Sequence, residues 1–92
     1  MATTVGQRWR RKTLKLYQFD ASQVEAVRLA AEALDIAALA AESIQADGLT
    51  VPGFKAPKTN PALAIRRDAV TEFTRLTRLL GIYNPEDVNA EA

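Results

Sequence analysis

The chain contains no cysteine and no histidine. Disulfide staples are excluded, and so are zinc sites built from Cys or His ligands. Serine occurs only at Ser22, a helix-cap candidate, and at Ser43, inside an alanine-rich stretch; neither has an evident base partner in sequence. No apolar run reaches the length of a membrane span. The basic N-terminal residues are not followed by the apolar core of a signal peptide. A phosphate-cradling loop of the G-x-x-x-x-G-K-[ST] type is missing, so no nucleotide hydrolysis is expected. Internal repeats, low-complexity tracts, a convincing strand and a helix–turn–helix with a short Gly turn are missing too. The expectation is a cytoplasmic chain that is not an enzyme, binds no cofactor or metal, and meets no membrane.

What is present is 92 residues, enough for one small domain with a modest core. A core of that size is marginal alone, and with disulfides and zinc excluded the remaining support is oligomerisation. Net charge is +1, but it is unevenly spread. Residues 1–15 carry Arg8, Arg10, Arg11, Lys12 and Lys15 and no acid. Residues 16–49 carry Arg28 against Asp20, Glu25, Glu32, Asp35, Glu42 and Asp47. Residues 50–81 are basic again, and the last ten are acidic. The basic N-terminal segment suits phosphate, or the acidic helix of a neighbouring subunit.

The expected organisation is a flexible basic arm over 1–13, a helical hairpin domain over 14–83 and an acidic tail over 84–92. Leu14, Leu16, Tyr17 and Phe19 form an apolar group, read as a short helical or irregular docking segment. Ser22-Gln-Val-Glu25 has the spacing of a capping box, and a first helix runs from there to about Ala46, with Gly48 after its end. Glu25, Arg28, Glu32, Asp35 and Glu42 fall on one stripe roughly 100° wide. Two apolar stripes flank it, one of Val27, Ala31, Leu34, Ala38 and Ala41, the other of Leu29, Ala33, Ile36, Ala40 and Ile44. A hairpin needs only one. The second predicts an oligomer interface at Leu29, Ala33, Ile36, Ala40 and Ile44, or a cover supplied by residues 14–19. A loop over 47–60, with two Gly and two Pro, leads to a second helix capped by Asn60 with Pro61 in its first turn. Its core stripe is Ala62, Ile65, Ala69, Phe73, Leu76 and Leu80, and Gly81 ends it. The fold class is therefore all-α: an antiparallel two-helix hairpin with a short N-terminal segment, assembled into an oligomer.

Two basic sets are candidates for DNA contact. The first is Arg8, Trp9, Arg10, Arg11, Lys12 and Lys15, where Trp9 either stacks on a base or anchors the segment to the core. The second is Lys55, Lys58, Arg66 and Arg67. Glu25, Glu32 and Asp35 share the spacing of a cation site, although such carboxylates are usually a solvated helix face.

Several spaced features occur together: Asp47-Gly-Leu49, Asn60-Pro-Ala-Leu63, the pair Arg67-Asp68, Arg78-Leu-Leu-Gly-Ile82, the pattern L-x-x-Y-x-x-D over Leu14 to Asp20, and Ala30 to Asp35. In this combination, over Leu14 to Ile82, the chain resembles phage terminase small subunits. The resemblance implies a non-catalytic, phage-encoded packaging protein in the host cytoplasm. It would bind viral double-stranded DNA, form a ring homo-oligomer and regulate the large ATPase and nuclease subunit. The chain departs from longer members in having little room for a separate N-terminal DNA-binding domain, which shifts that role to the basic residues. The alternatives are a helical protein-interaction adaptor or a small dimeric DNA-binding regulator.

Overall fold

A computed structural model describes residues 3–89 and is mostly helical, with two very short strands. In chain order these are α1 (Val5–Leu16), α2 (Ala21–Asp47), β1 (Thr50–Val51), β2 (Lys58–Thr59), α3 (Ala62–Leu80) and α4 (Pro85–Asn89). Among the described residues no helix is long and apolar enough to cross a membrane. Residues 1, 2 and 90–92, which belong to the expected arm and tail, lie outside the described residues.

The first correction concerns the N-terminal arm, which is helical from Val5. Thr4 and Gln7 form a capping box: the Gln7 N–H donates to Thr4 Oγ1 at 3.1 Å, and the Thr4 N–H donates to Gln7 Oε1 at 3.0 Å. Asp35 of α2 reinforces the start. Its carboxylate accepts from the Gly6 N–H at 2.8 Å and from Thr4 Oγ1 at 3.0 Å. A negative group at a helix N-terminus is stabilising because orphan N–H donors point there. Gly6 permits the approach: a Cβ there would lie 2.2 Å from the Ala31 carbonyl oxygen. Since only residues 17–20 separate α1 from α2, α1 runs back along the first half of α2.

The start of α2 is the second correction. Its capping box is built by Asp20 and Gln23, not Ser22 and Glu25. Asp20 Oδ1 accepts from the Gln23 N–H and from Ser22 Oγ, each at 2.8 Å. These donors hold the Asp20 carboxyl below its ordinary pKa, the Gln23 backbone bond being the largest cause. Glu25 is instead engaged by Arg28 one turn on. At the far end Gly48 takes φ 84°, as expected for a glycine past a helix end.

The third correction is a strand ladder where no strand was expected. Thr50 pairs with Thr59 and Val51 with Lys58, antiparallel, forming the neck of the connection between α2 and α3. Asn60 locks this neck. It is buried; its N–H donates to the Leu49 carbonyl at 2.8 Å and its Nδ2 to the Gly48 carbonyl at 2.9 Å, while its Oδ1 accepts from the Ala62 N–H at 3.0 Å. Asn60 thus caps α3 from one residue further back than expected, with Pro61 between. Gly81, at φ 76°, closes α3 in a Schellman motif, with Gly81 N–H donating to the Arg78 carbonyl and Ile82 N–H to that of Thr77.

α3 packs along α2, and α1 packs on α2 and reaches α3 through Trp9. The core joins Val27, Ala30, Ala31, Ala33 and Leu34 of α2 to Phe73 and Leu76 of α3 and to Trp9 of α1. Trp9 meets Phe73 edge-on, ring centroids 5.1 Å apart at 70°. Burying Phe73 fully is worth roughly 2–3 kcal/mol. Thr77 is tolerated in this core because its hydroxyl donates to the Phe73 carbonyl at 2.9 Å. Ile65, expected in the core stripe, is 50 % exposed on a flank of α3. Among the described residues no buried side-chain polar atom lacks a partner.

Candidate nucleic-acid interface

Helical geometry sorts the first basic set. Arg8, Arg11, Lys12 and Lys15 stand at i, i+3, i+4 and i+7 of α1, so they share one face. All are exposed, and together with Leu16 they line a shallow depression of about 360 Å³. The opposite face carries Gly6, Trp9 and Thr13, all buried. α1 contains no acidic residue. Arg8 donates to the Thr3 carbonyl at 2.9 Å, which fixes its guanidinium near the helix start. Arg11, Lys12 and Lys15 have no ion-pair partner among the described residues. A stripe of cations held on a helix, with Arg11, Lys12 and Lys15 free of ion pairs among the described residues, matches a run of phosphates better than a disordered arm does, because less freedom is lost on binding.

Two expected members leave this set. Trp9 is 7 % exposed, packed on Phe73, and its Nε1–H donates to Asp87 Oδ2 of α4 at 3.3 Å. It cannot stack on a base without leaving the core. Arg10 lies on the flank turned toward α2, where its charge helps hold the Glu25 carboxyl below its ordinary pKa; the hydrogen bond from Arg28 is the larger cause.

The second basic set does not join the first. Lys55 belongs to the tip beyond the ladder and Lys58 to the ladder itself, at the far end of α2 from α1. Gly6 sits at the level of Asp35, and the helix rises about 18 Å from there to Asp47 before the tip begins. Arg66 is half-buried early in α3, and Arg67 reaches its neighbour Asp68 at 3.3 Å. Arg78, further along, stacks over Tyr83 at 4.8 Å.

The acidic stripe of α2 is divided among structural duties. Glu25 and Glu32 both pair with Arg28, which raises the Arg28 pKa. Asp35 faces α1 instead and serves as its cap. The three carboxylates therefore do not converge, and among the described residues no acidic group is arranged to hold a metal ion.

The expected oligomer interface is split as well. Ala33 is buried in the core with Phe73 of α3, and Ala40, 6 % exposed, offers little surface of its own. Leu29, at 40 %, and Ile36, at 48 %, are exposed, while Ile44 is half-buried. Residues 14–19 do not cover the second stripe; on the other side of α2, Gly6 of α1 approaches Ala31 and Asp35, and Trp9 joins the core with Val27 and Leu34. Leu14, Leu16 and Tyr17 stay exposed; only Phe19 of that group packs on the core.

Neither feature was legible from hydrophobic period alone. The signal for α1 lay in its cations, and the signal for the open face lay in Leu39, 66 % exposed beside Ile36 and Ile65. Compared with known proteins, the chain matches no family model, no curated protein and no solved structure.

Proposed function

We propose that this chain is a non-catalytic DNA-packaging subunit of the terminase small-subunit kind, contacting double-stranded DNA through the phosphate backbone and acting on a large ATPase and nuclease subunit in the host cytoplasm. The observation that carries the DNA contact is the four-cation face of α1, Arg8, Arg11, Lys12 and Lys15, backed by buried Gly6, Trp9 and Thr13. No base-reading side chain accompanies it, so the contact is sequence-independent and positions the protein without specifying a site. The resemblance over Leu14 to Ile82 supports the packaging role and the large-subunit partner. The open face of α2 and α3, with Leu29, Ile36, Leu39, Ile65 and Leu79 exposed, supports self-association, which the resemblance extends to a ring.

Four phosphates neutralised by α1 give a slope of log K against log salt of about −3.6 on duplex DNA. Removing Arg11 and Lys12 together (R11A/K12A) brings the slope to roughly −1.8. Lys55→Ala with Lys58→Ala, at the other end of the molecule, leaves it unchanged. Fluorescence anisotropy across a salt series reads these slopes. If R11A/K12A binds with the wild-type slope, α1 is not the DNA contact.

A second reading, the protein-interaction adaptor, is favoured by the same apolar face together with Phe54, 97 % exposed at the tip. It differs by giving no measurable DNA affinity at physiological salt. The small dimeric regulator would instead bind one DNA sequence preferentially.

A further inference from the structure

Phe54 is the most exposed large apolar side chain among the described residues, at 97 %. Its presentation is built. A Cβ on Gly53 would lie 2.3 Å from the Ala56 carbonyl oxygen, so the tip closes tightly where no side chain intervenes. Pro52 and Pro57 stiffen both sides of the turn, and the ladder from Thr50 to Thr59 clamps its base. Such a turn holds its aromatic ring ready, with little ordering left to do on contact.

At the base of the same tip lies an open groove of about 530 Å³ between α2 and α3. Its walls are Ile36, Leu39, Ala40, Val51, Ala62 and Ile65, and Asp47 stands at its rim. Phe54 does not fill this groove in its own chain, being almost wholly exposed. The charges match: Lys55 and Lys58 accompany Phe54, Asp47 accompanies the groove, and none of the three has an ion-pair partner among the described residues. Val51 belongs both to the ladder that carries the tip and to the groove wall. Every copy therefore carries both a knob and a socket, and a head-to-tail contact, of the kind that builds rings, seats each knob in the socket of the next copy.

We propose that the occupant of this groove is Phe54 of a second copy of the chain, with Lys55 or Lys58 meeting Asp47 at the rim. The proposal rests on the self-association part of the function proposed above and names its contact. Each aromatic ring brings roughly 150–250 Å² to the interface. Aromatic knobs of this size alone fall well short of the about 1,200 Å² of stable interfaces, so association is weak and concentration-dependent. An anchor seated in a pocket at the centre of an interface is where truncation costs most.

Sedimentation velocity of the full chain at roughly 10–200 μM reads the result. The expected result is reversible pairing that Phe54→Ala weakens by about thirty-fold or more. Leu39→Glu, which puts a charge in the groove, weakens it similarly. Both positions are exposed, and circular dichroism checks that each variant keeps its helices. Mixing the two variants is decisive. Leu39→Glu retains a knob and Phe54→Ala retains a socket, so the mixture forms a heterodimer through one contact where each alone is monomeric. If the wild type associates and Phe54→Ala associates equally well, the knob is refuted while self-association stands. If the wild type stays monomeric throughout, both fall. If the mixture does not pair, the seating of Phe54 in this groove is wrong.

Discussion

Gly6→Ala tests how α1 is held, and its outcome can be worked from the contacts. The added methyl would lie 2.2 Å from the Ala31 carbonyl oxygen and 2.7 Å from Asp35 Oδ2. An ordinary contact at that oxygen requires α1 to retreat by about 1 Å, or to leave α2 altogether. Retreat stretches the bond from Gly6 N–H to Asp35, 2.8 Å in the native packing. A hydrogen bond to a charged group is worth about 1.5–3 kcal/mol, and overpacking costs about 1–3 kcal/mol. Departure uncovers Trp9, whose roughly 150–250 Å² of surface is worth about 4–6 kcal/mol at 25 cal/mol per Å². It also loses the caps at Thr4 and Gly6 and the contact with Phe73. Retreat is therefore the cheaper response, at roughly 3–5 kcal/mol. For 92 residues the whole stability is of the order of 5–14 kcal/mol, so the loss is large but survivable. Trp9 is the only tryptophan, which makes its emission a direct readout. Urea unfolding followed by that emission should show an earlier midpoint, with the folded-state spectrum close to that of the wild type. A midpoint within about 0.5 kcal/mol of wild type would refute the tight approach at Gly6. A strongly red-shifted folded-state spectrum would instead show that α1 departs.

Asn60→Ala removes two side-chain hydrogen bonds and orphans the Gly48 carbonyl and the Ala62 N–H. About 2–4 kcal/mol of stability should be lost in a urea titration, and a loss below 0.5 kcal/mol would mean that water replaces both partners. Acid provides a separate test, since Asp20, Glu25 and Glu72 all have depressed carboxyl pKa values, through the Gln23 backbone, Arg28 and Arg75 respectively. A depressed folded pKa contributes stability that is present above the ordinary carboxylate range and is lost as pH falls through the folded value. Thermal midpoints should therefore decline as pH falls below about 5, and Glu25→Gln with Glu72→Gln should flatten that decline. The groups are exposed, so the effect is small, and an identical acid limb in the double variant would remove these pairs from the pH dependence.

The long helices were legible because their signals are local. Gly48 and Gly81, the Asn60-Pro61 start, and the spacing of Ala69, Phe73 and Leu76 are all readable within one or two turns of chain. α1 was hidden because the residues it buries include Gly6 and Thr13, which carry no hydrophobic signal, while its most regular feature is a row of charges. What docks it is tertiary. Asp35 lies 29 residues from Gly6, inside a stripe that looks like any solvated acidic face. The cap at Asp20 was displaced from Ser22 because both residue types accept well, and spacing alone does not choose between them. Ladder pairs as short as Thr50 with Thr59 and Val51 with Lys58 have no alternation to detect. Of the candidate site, sequence supplied the cations. Only helical geometry separated Arg8, Arg11, Lys12 and Lys15 from Trp9 and Arg10.

The alanines buried along α2 and α3 determine which changes the chain can absorb. At Ala30, Ala31, Ala33, Ala37 and Ala69 the neighbouring helix comes close because each side chain ends at its first carbon. Any larger residue there acts as a spacer and forces two backbones apart over several turns, whereas glycine leaves the spacing intact at the expense of helix propensity. Variation at these positions is one-directional, toward smaller and not larger. The outward positions of the same helices, such as Leu39 and Leu79, accept change in either direction so far as the single chain is concerned. A library of random substitutions sorted only for folding should therefore recover the alanine seam as a size limit and leave the outer face unconstrained.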